Sequence, residues 1–309
     1  MRVAVLCGGI SGEAEISRLS GNTVNDALLS LGHETRVFEF EPDHLEVLRE
    51  WRPDVVFPTL HGPLGEDGTA AAVLELLRLP YVGSGILAGA LAMNKVAAKR
   101  VWTALDLPTP AAEVVDEFAE MHLRAEDAIE RLGLPMVVKP NSGGSSLGFS
   151  RVADEESLLD GIVRAMKVAG PDHAVLLEAE KRGVEVTVGV LGVRAPVALP
   201  TLEIVYREGD YDFEAKYTAG LSQHVIPARI PEPQQARAAA LALAAHRALG
   251  ARGLSRVDMM CEPGGECWLL ELNTMPGMTP LSLFPDAARA AGLEFPQLVE
   301  RLIQEAVAA

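Results

Sequence analysis

The first eighty residues alternate short apolar runs with stretches of helical period, and that alternation narrows the fold more than any other feature. "RVAVLC" (2–7) is apolar and rich in β-branched residues, and "TRVFEF" and "DVVFP" follow at helix-length intervals. Between the first two runs, residues 14–31 repeat apolar side chains at Ile16, Leu19, Val24 and Leu28, and further helical segments fall near 43–51 and 69–79. Strands separated by helices pair in parallel and carry the helices on their faces, so an open parallel sheet is expected. The turn "GGISGE" is glycine-rich but does not match G-x-G-x-x-G, so no dinucleotide fold is assigned to it.

A helical run over 88–105 ends ahead of Pro108 and Pro110, and the rhythm then changes. "MVVKP" reads as a strand, "NSGGSSLG" as a loop and "FSRV" as a returning strand; a helix (155–169) and the strand "AVLLE" follow. From "VEVTVGVLG" onward strands dominate, interrupted by a polar segment at 206–224 and an alanine-rich helix at 234–249. Boundaries fall near 93 and 185. They divide the chain into an N-terminal substrate-binding domain built on the parallel sheet (1–93), a small central domain (94–185) and a C-terminal mixed-sheet domain (186–309). The class is α/β, with α+β character in the second and third parts.

Charge excludes some partners. A formal net charge of −16 over 309 residues argues against nucleic acid and against an anionic membrane surface. An anionic nucleotide would need local cations to receive it. Cys7, Cys261 and Cys267 form no CxxC pair, so neither a disulfide framework nor a zinc site is expected and a reduced cytosol fits best. The apolar run after Arg2 is too short for a signal peptide, and no stretch approaches the roughly 20 apolar residues of a membrane span.

The chemistry gathers near the C-terminus. In "SRVDMMCEPGGECWLLELN" two strands flank Pro263-Gly264-Gly265, a hairpin signal. A two- or four-residue turn pairs Glu262 with Cys267, sets Asp258 opposite Glu271 and Arg256 opposite Asn273, and puts all four of those last side chains on one face. Opposed carboxylates repel unless neutralised, and Mg²⁺ takes one or two carboxylates together with substrate phosphates. A solvated polar face with Arg256 as counter-ion has the same spacing, and the spacing leaves both readings open. Upstream, Lys139 ends a strand before the Gly/Ser loop, whose N–H groups can wrap phosphate oxygens. The loop lacks the G-K-[ST] ending of a Walker loop, and such loops also serve as hairpin tips. Lys95 on the long helix and Glu178 and Glu185, seven residues apart, are equally readable as surface residues; the glutamates could also receive a base amine and ribose hydroxyls.

In order, the pieces are "GGISGEAEIS", "LHGPLGEDG", a helix lysine, "KPNSGGSSLG", E-x6-E, "DFEAKY", "SRVDMM" and "LLELNTMPGMTPLSL". This ordered set, spanning nearly the whole chain, closely resembles the D-alanine–D-alanine ligases of the ATP-grasp family. The resemblance implies an ATP-grasp fold, a cytoplasmic homodimer and ATP-dependent ligation of two D-alanines for peptidoglycan precursor synthesis, through D-alanyl phosphate. It places ATP phosphates on Lys95 and Lys139 beneath a loop bearing Ser145 and Ser146, adenine near Glu178 and ribose at Glu185. Asp258, Glu271 and Asn273 would hold two Mg²⁺ ions, or Mn²⁺ in their place. Glu13, linked through Ser145 and Tyr217, would bind the first D-alanine's ammonium, with His61 within reach. Arg256 and the Gly277 N–H would form the oxyanion hole, and Ser282, Leu283 and Lys216 would receive the second D-alanine, with Lys216 also near the nucleotide. Segment 206–224 would be a lid that excludes water.

Two positions depart from the family pattern. Asn94 stands where an aspartate is usual, and "EAEKRG" is more charged than the usual adenine segment. The neighbouring activities are a depsipeptide ligase using a hydroxy acid such as D-lactate, against which Tyr217 argues, and a silent ATP-binding module. Glu13, Arg256, Asp258, Glu271 and Asn273 together argue against the latter, because nucleotide binding alone needs fewer of them.

Overall fold

The computed structural model describes residues 1–116, 118–144, 147–169, 174–206 and 222–308. Its first sheet has three parallel strands, β1 (Arg2–Cys7), β2 (Glu34–Glu39) and β3 (Val55–Pro58), in the order β2-β1-β3. Helices α1 (Ala14–Ser30), α2 (Pro42–Trp51) and α3 (Thr69–Leu76) connect and cover it. Apart from Arg2 at its start, β1 is apolar like β3, because both faces of these strands are buried. One face meets α1 and the C-terminal helix, through Val24, Leu28, Leu298, Leu302 and Ile303; the other meets α2 and α3, through Leu48 and Leu74.

The helix expected over 88–105 is two helices, α4 (Ile86–Met93) and α5 (Lys95–Ala104). Asn94 separates them with extended backbone (φ −92°, ψ 99°), and its side chain accepts from the Ala97 N–H. Asparagine bonds its neighbouring backbone as a helix cap more readily than it continues a helix. The Asn141 carbonyl and side chain accept from the Lys95 and Val96 N–H groups, which docks the start of α5 on the Gly/Ser loop.

The second sheet, antiparallel with order β4-β7-β5-β6, comprises β4 (Ala112–Val115), β5 (Met136–Pro140), β6 (Ser150–Val152) and β7 (Val175–Ala179). α6 (Met121–Leu132) and α7 (Glu155–Met166) bury its apolar face. The third sheet runs β11-β10-β8-β12-β13 with β9 on β8, from β8 (Val184–Gly192), β9 (Val197–Ala198), β10 (Leu202–Tyr206), β11 (Ser222–Val225), β12 (Gly253–Cys261) and β13 (Cys267–Asn273). Each of its described pairings is antiparallel, where a mixed sheet was expected. α8 (Glu232–Ala248) packs on it, and Trp102 of α5 joins the same cluster. α9 (Leu283–Ala290) and α10 (Phe295–Val307) then return to the first sheet.

The hairpin register differs from expectation at its turn and agrees where the carboxylates lie. Cys261, not Glu262, pairs with Cys267, and the Glu262 N–H bonds the Glu266 carbonyl, leaving a three-residue loop with Gly265 at φ 94°. A bulge then leaves Leu270 without a partner between the Met259–Leu269 and Asp258–Glu271 pairs. The loop displaces the register by one residue and the bulge restores it, so Arg256 still faces Asn273.

Candidate active site

The site lies where the three sheets converge. After β1, the glycine turn is tied down by the Gly8 N–H to Ser17 Oγ (2.8 Å) and by Ser11 Oγ to the His61 carbonyl (2.8 Å). This places Glu13, at the head of α1, against the 61–67 loop. A methyl group on Gly62, which sits at φ 70°, would stand 3.1 Å from Glu13 Oε2, and one on Gly144 of the Gly/Ser loop would stand 3.5 Å from it. Glu13 thus reaches both loops.

His61 is buried, and its Nε2 has no partner among the described residues. Burial drives the imidazole toward its neutral form; Glu13 opposes this and Arg256 adds to it. Glu66, overlooked in the sequence although it lies in the quoted "LHGPLGEDG", accepts from the Gly62 N–H at 2.6 Å. Burial pushes its carboxyl up to about 8. The Gly62 bond opposes that shift, as does Arg256, while the negative charges of Glu13 and Glu271 add to it.

On the hairpin, Arg256 grips Asp258 with two bonds, Nε to Oδ1 at 2.9 Å and Nη2 to Oδ2 at 2.8 Å, and Thr187 Oγ1 donates to Oδ1 at 2.6 Å. Glu271, the residue paired with Asp258, lies 3.7 Å from Lys95 Nζ, which also donates to the Gly143 carbonyl at 2.9 Å. Asn273 Oδ1 accepts from the Met275 N–H (2.8 Å), which starts the turn into Pro276-Gly277. Among the described residues no cluster of three or more carboxylate, imidazole or thiol groups forms a metal cage. Two opposed carboxylates and a carboxamide instead suit a hard cation that completes its coordination with water and phosphate oxygens.

Deeper in, Glu178 is buried between two lysines, with Lys99 Nζ 2.6 Å from Oε1 and Lys139 Nζ 2.8 Å from Oε2. Burial alone would raise the Glu178 carboxyl; Lys139 and Lys99 outweigh it and hold it below the usual range. Breaking a buried pair of this kind costs about 3–5 kcal/mol. Sequence reading missed Lys99, since a helix lysine is usually solvated. The charged segment after β7 is also engaged. Glu180 meets Arg151 (3.4 Å) and Arg182 (2.8 Å), and Lys181 Nζ stands 3.9 Å over the Trp268 ring. A cavity of about 430 Å³ opens there, lined by residues that include Arg151, Glu180, Lys181 and Met260. Half-buried Glu185 is on β8, in register with Met260.

Beyond β13, a methyl group on Gly277 would stand 2.7 Å from Ser282 Oγ, which accepts from the Thr279 N–H at 3.0 Å; Leu283 opens α9. Ser145, Ser146, Lys216 and Tyr217 lie outside the described residues, as does 207–221, the greater part of the expected lid.

The C-terminal part of the chain, residues 101–304, matches the family described as D-ala D-ala ligase C-terminus, and residues 46–84 match D-ala D-ala ligase N-terminus. A D-alanine–D-alanine ligase from Desulforudis audaxviator is 47% identical over 307 residues, covering 98% of this chain and 97% of that one. The chain belongs to the D-alanine–D-alanine ligase family. A relative of the same name from Pelotomaculum thermopropionicum is 45% identical over 99% of this chain and 97% of its own length. Among solved structures, the Bacillus anthracis D-alanine–D-alanine ligase complexed with ATP superposes with a TM-score of 0.85 at 28% identity, covering 100% of this chain and 98% of that chain. The fold is therefore the ATP-grasp fold of these ligases, and membership makes the chain an ATP-dependent ligase of D-alanine. Among the described residues no helix is long and apolar enough to cross a membrane.

Proposed function

We propose that this chain joins two D-alanines through D-alanyl phosphate using the residues gathered between its three sheets. The observation that carries the reading is the pairing of Asp258 with Glu271, with Lys95 linking Glu271 to the Gly/Ser loop. Lys95 and Lys139 neutralise ATP phosphates, and the reading also gives Ser145, Ser146 and Lys216 to ATP binding. The cavity beyond Glu178 takes the adenine, and Glu185 the ribose. Asp258, Glu271 and Asn273 would hold Mg²⁺ or Mn²⁺, which when bound spreads the charge that develops as the phosphoryl group moves.

In the first step a D-alanine carboxylate attacks the γ-phosphorus and ADP leaves. Glu13 holds this substrate's ammonium, with Ser145 and Tyr217, while His61 lies against the same pocket and the N-terminus of α1 favours its carboxylate. In the second step the amine of another D-alanine, held by Ser282, Leu283, Lys216 and Tyr217, attacks the acyl carbon and phosphate departs. The tetrahedral oxyanion falls to the guanidinium of Arg256 and the N–H of Gly277. The two bonds from Arg256 to Asp258 fix that guanidinium before substrate arrives. Segment 206–224 closes over the acyl phosphate. The proposal extends to domain boundaries near 93 and 185, supported by a separate buried cluster for the second sheet, and to a cytoplasmic homodimer supplying peptidoglycan synthesis. ADP release measured with D-alanine and graded Mg²⁺ or Mn²⁺ after chelation tests the metal assignment. Release that needs the divalent ion supports it, and undiminished release in excess chelator contradicts it.

A further inference from the structure

Lys99 lies one helical turn after Lys95 on α5 and points into the protein rather than into the cleft. It is 6% exposed, and three oxygens surround its ammonium: Glu178 Oε1 at 2.6 Å, Thr109 Oγ1 at 2.6 Å and the Pro110 carbonyl at 2.8 Å. Thr109 and Pro110 accept hydrogen bonds from the ammonium, and Glu178 Oε1 faces it as an ion-pair partner without a hydrogen bond of its own. Its partner Glu178, 3% exposed, holds Lys139 through the other carboxylate oxygen at 2.8 Å. Two cations about one buried carboxylate leave one positive charge over. Lys139 is on the strand that runs into the Gly/Ser loop.

A second connection runs from the same ammonium. Thr109 Oγ1 donates to the Leu269 carbonyl at 2.8 Å, and the Leu269 N–H returns to the Pro108 carbonyl at 2.9 Å. Leu269 is two residues before Glu271 on β13. Lys99 therefore registers the carboxylate hairpin against the central sheet while it balances Glu178.

We propose that Lys99 is a positioning residue for nucleotide binding, sharing the Glu178 carboxylate so that Lys139 keeps its charge for the ATP phosphates. The inference rests on the assignment of Lys139 to those phosphates. Without Lys99, Lys139 becomes the sole counter-ion of a buried carboxylate, and pairing in a low-dielectric interior is strong enough to hold it there.

The test is a double-mutant cycle on the full chain, with Lys99→Met, Glu178→Gln and both together. A non-hydrolysable ATP analogue is titrated calorimetrically in Mg²⁺, and the steady-state KM for D-alanine is measured alongside. K99M is expected to weaken the analogue by about tenfold or more while the KM for D-alanine stays within about twofold. In the E178Q background the same substitution is expected to change analogue affinity by less than about twofold, because Lys139 no longer has a carboxylate to fall back on. An equal loss in both backgrounds, or no loss in either, overturns the inference. If the unaltered chain binds no analogue, or Lys139→Met leaves its binding unchanged, the fault lies in the nucleotide assignment instead. If K99M does not fold, Thr109→Val, which removes one of the two hydrogen-bond acceptors of Lys99, is expected to weaken the analogue, and unchanged affinity there overturns the inference.

Discussion

Lys95 Nζ lies 3.7 Å from Glu271 Oε2, so the first residue of one helix meets the carboxylate near the end of a hairpin strand more than 170 positions later. With the bond from the same lysine to Gly143, this contact closes the triangle of helix, loop and hairpin on which the ligase reading stands.

Removing the charge at that corner separates chemistry from folding. Glu271→Gln keeps shape and hydrogen-bonding capacity and is expected to lower kcat/KM by about 10³-fold, on the order of 4 kcal/mol. Circular dichroism and the melting temperature should stay close to those of the unaltered chain. Near-normal turnover would remove Glu271 from metal and nucleotide binding.

The raised carboxyl of Glu66 predicts a pH dependence of stability. Between its ordinary value of 4.5 and about 8, the folded chain keeps a proton that the unfolded chain has lost. Stability therefore falls as pH rises through that window. Glu66→Gln does not titrate, so its melting temperature relative to the unaltered chain should shift in the variant's favour from pH 5 to pH 8. A difference constant across that range would contradict the burial argument.

Asn94, one of the two departures from the family pattern, caps α5. Asn94→Ala should cost about 1 kcal/mol in urea unfolding, whereas Asn94→Asp, which can still accept from the Ala97 N–H, should stay within about 0.5 kcal/mol. Equal losses in both would show that the side chain does something other than cap.

The sequence carried much of this site, though unevenly. The first sheet was legible because β1 and β3 are buried on both faces and their helices are amphipathic. The Asp258–Glu271 pairing was reached through a turn one residue out of place; the unpaired Leu270 compensates, and a bulge on an apolar strand leaves no compositional trace. The break at Asn94 was missed because neither glycine nor proline marks it. Lys99 and Glu66 were missed for a different reason. Their roles come from burial beside charges that are distant in the chain, Glu178 in one case, Glu13 and Glu271 in the other. The charges of "EAEKRG" read as a departure in sequence, and in the fold they are tied to Arg151 and Trp268.

The most direct measurement is release of ADP and phosphate by the chain with ATP and Mg²⁺, offered D-alanine, L-alanine, or D-alanine with D-lactate, and with the products weighed by mass spectrometry. Release that depends on D-alanine, with D-alanyl-D-alanine as the product, is the predicted result. A mixed ester as the main product, or ATP binding that no amino acid converts into release, would contradict it.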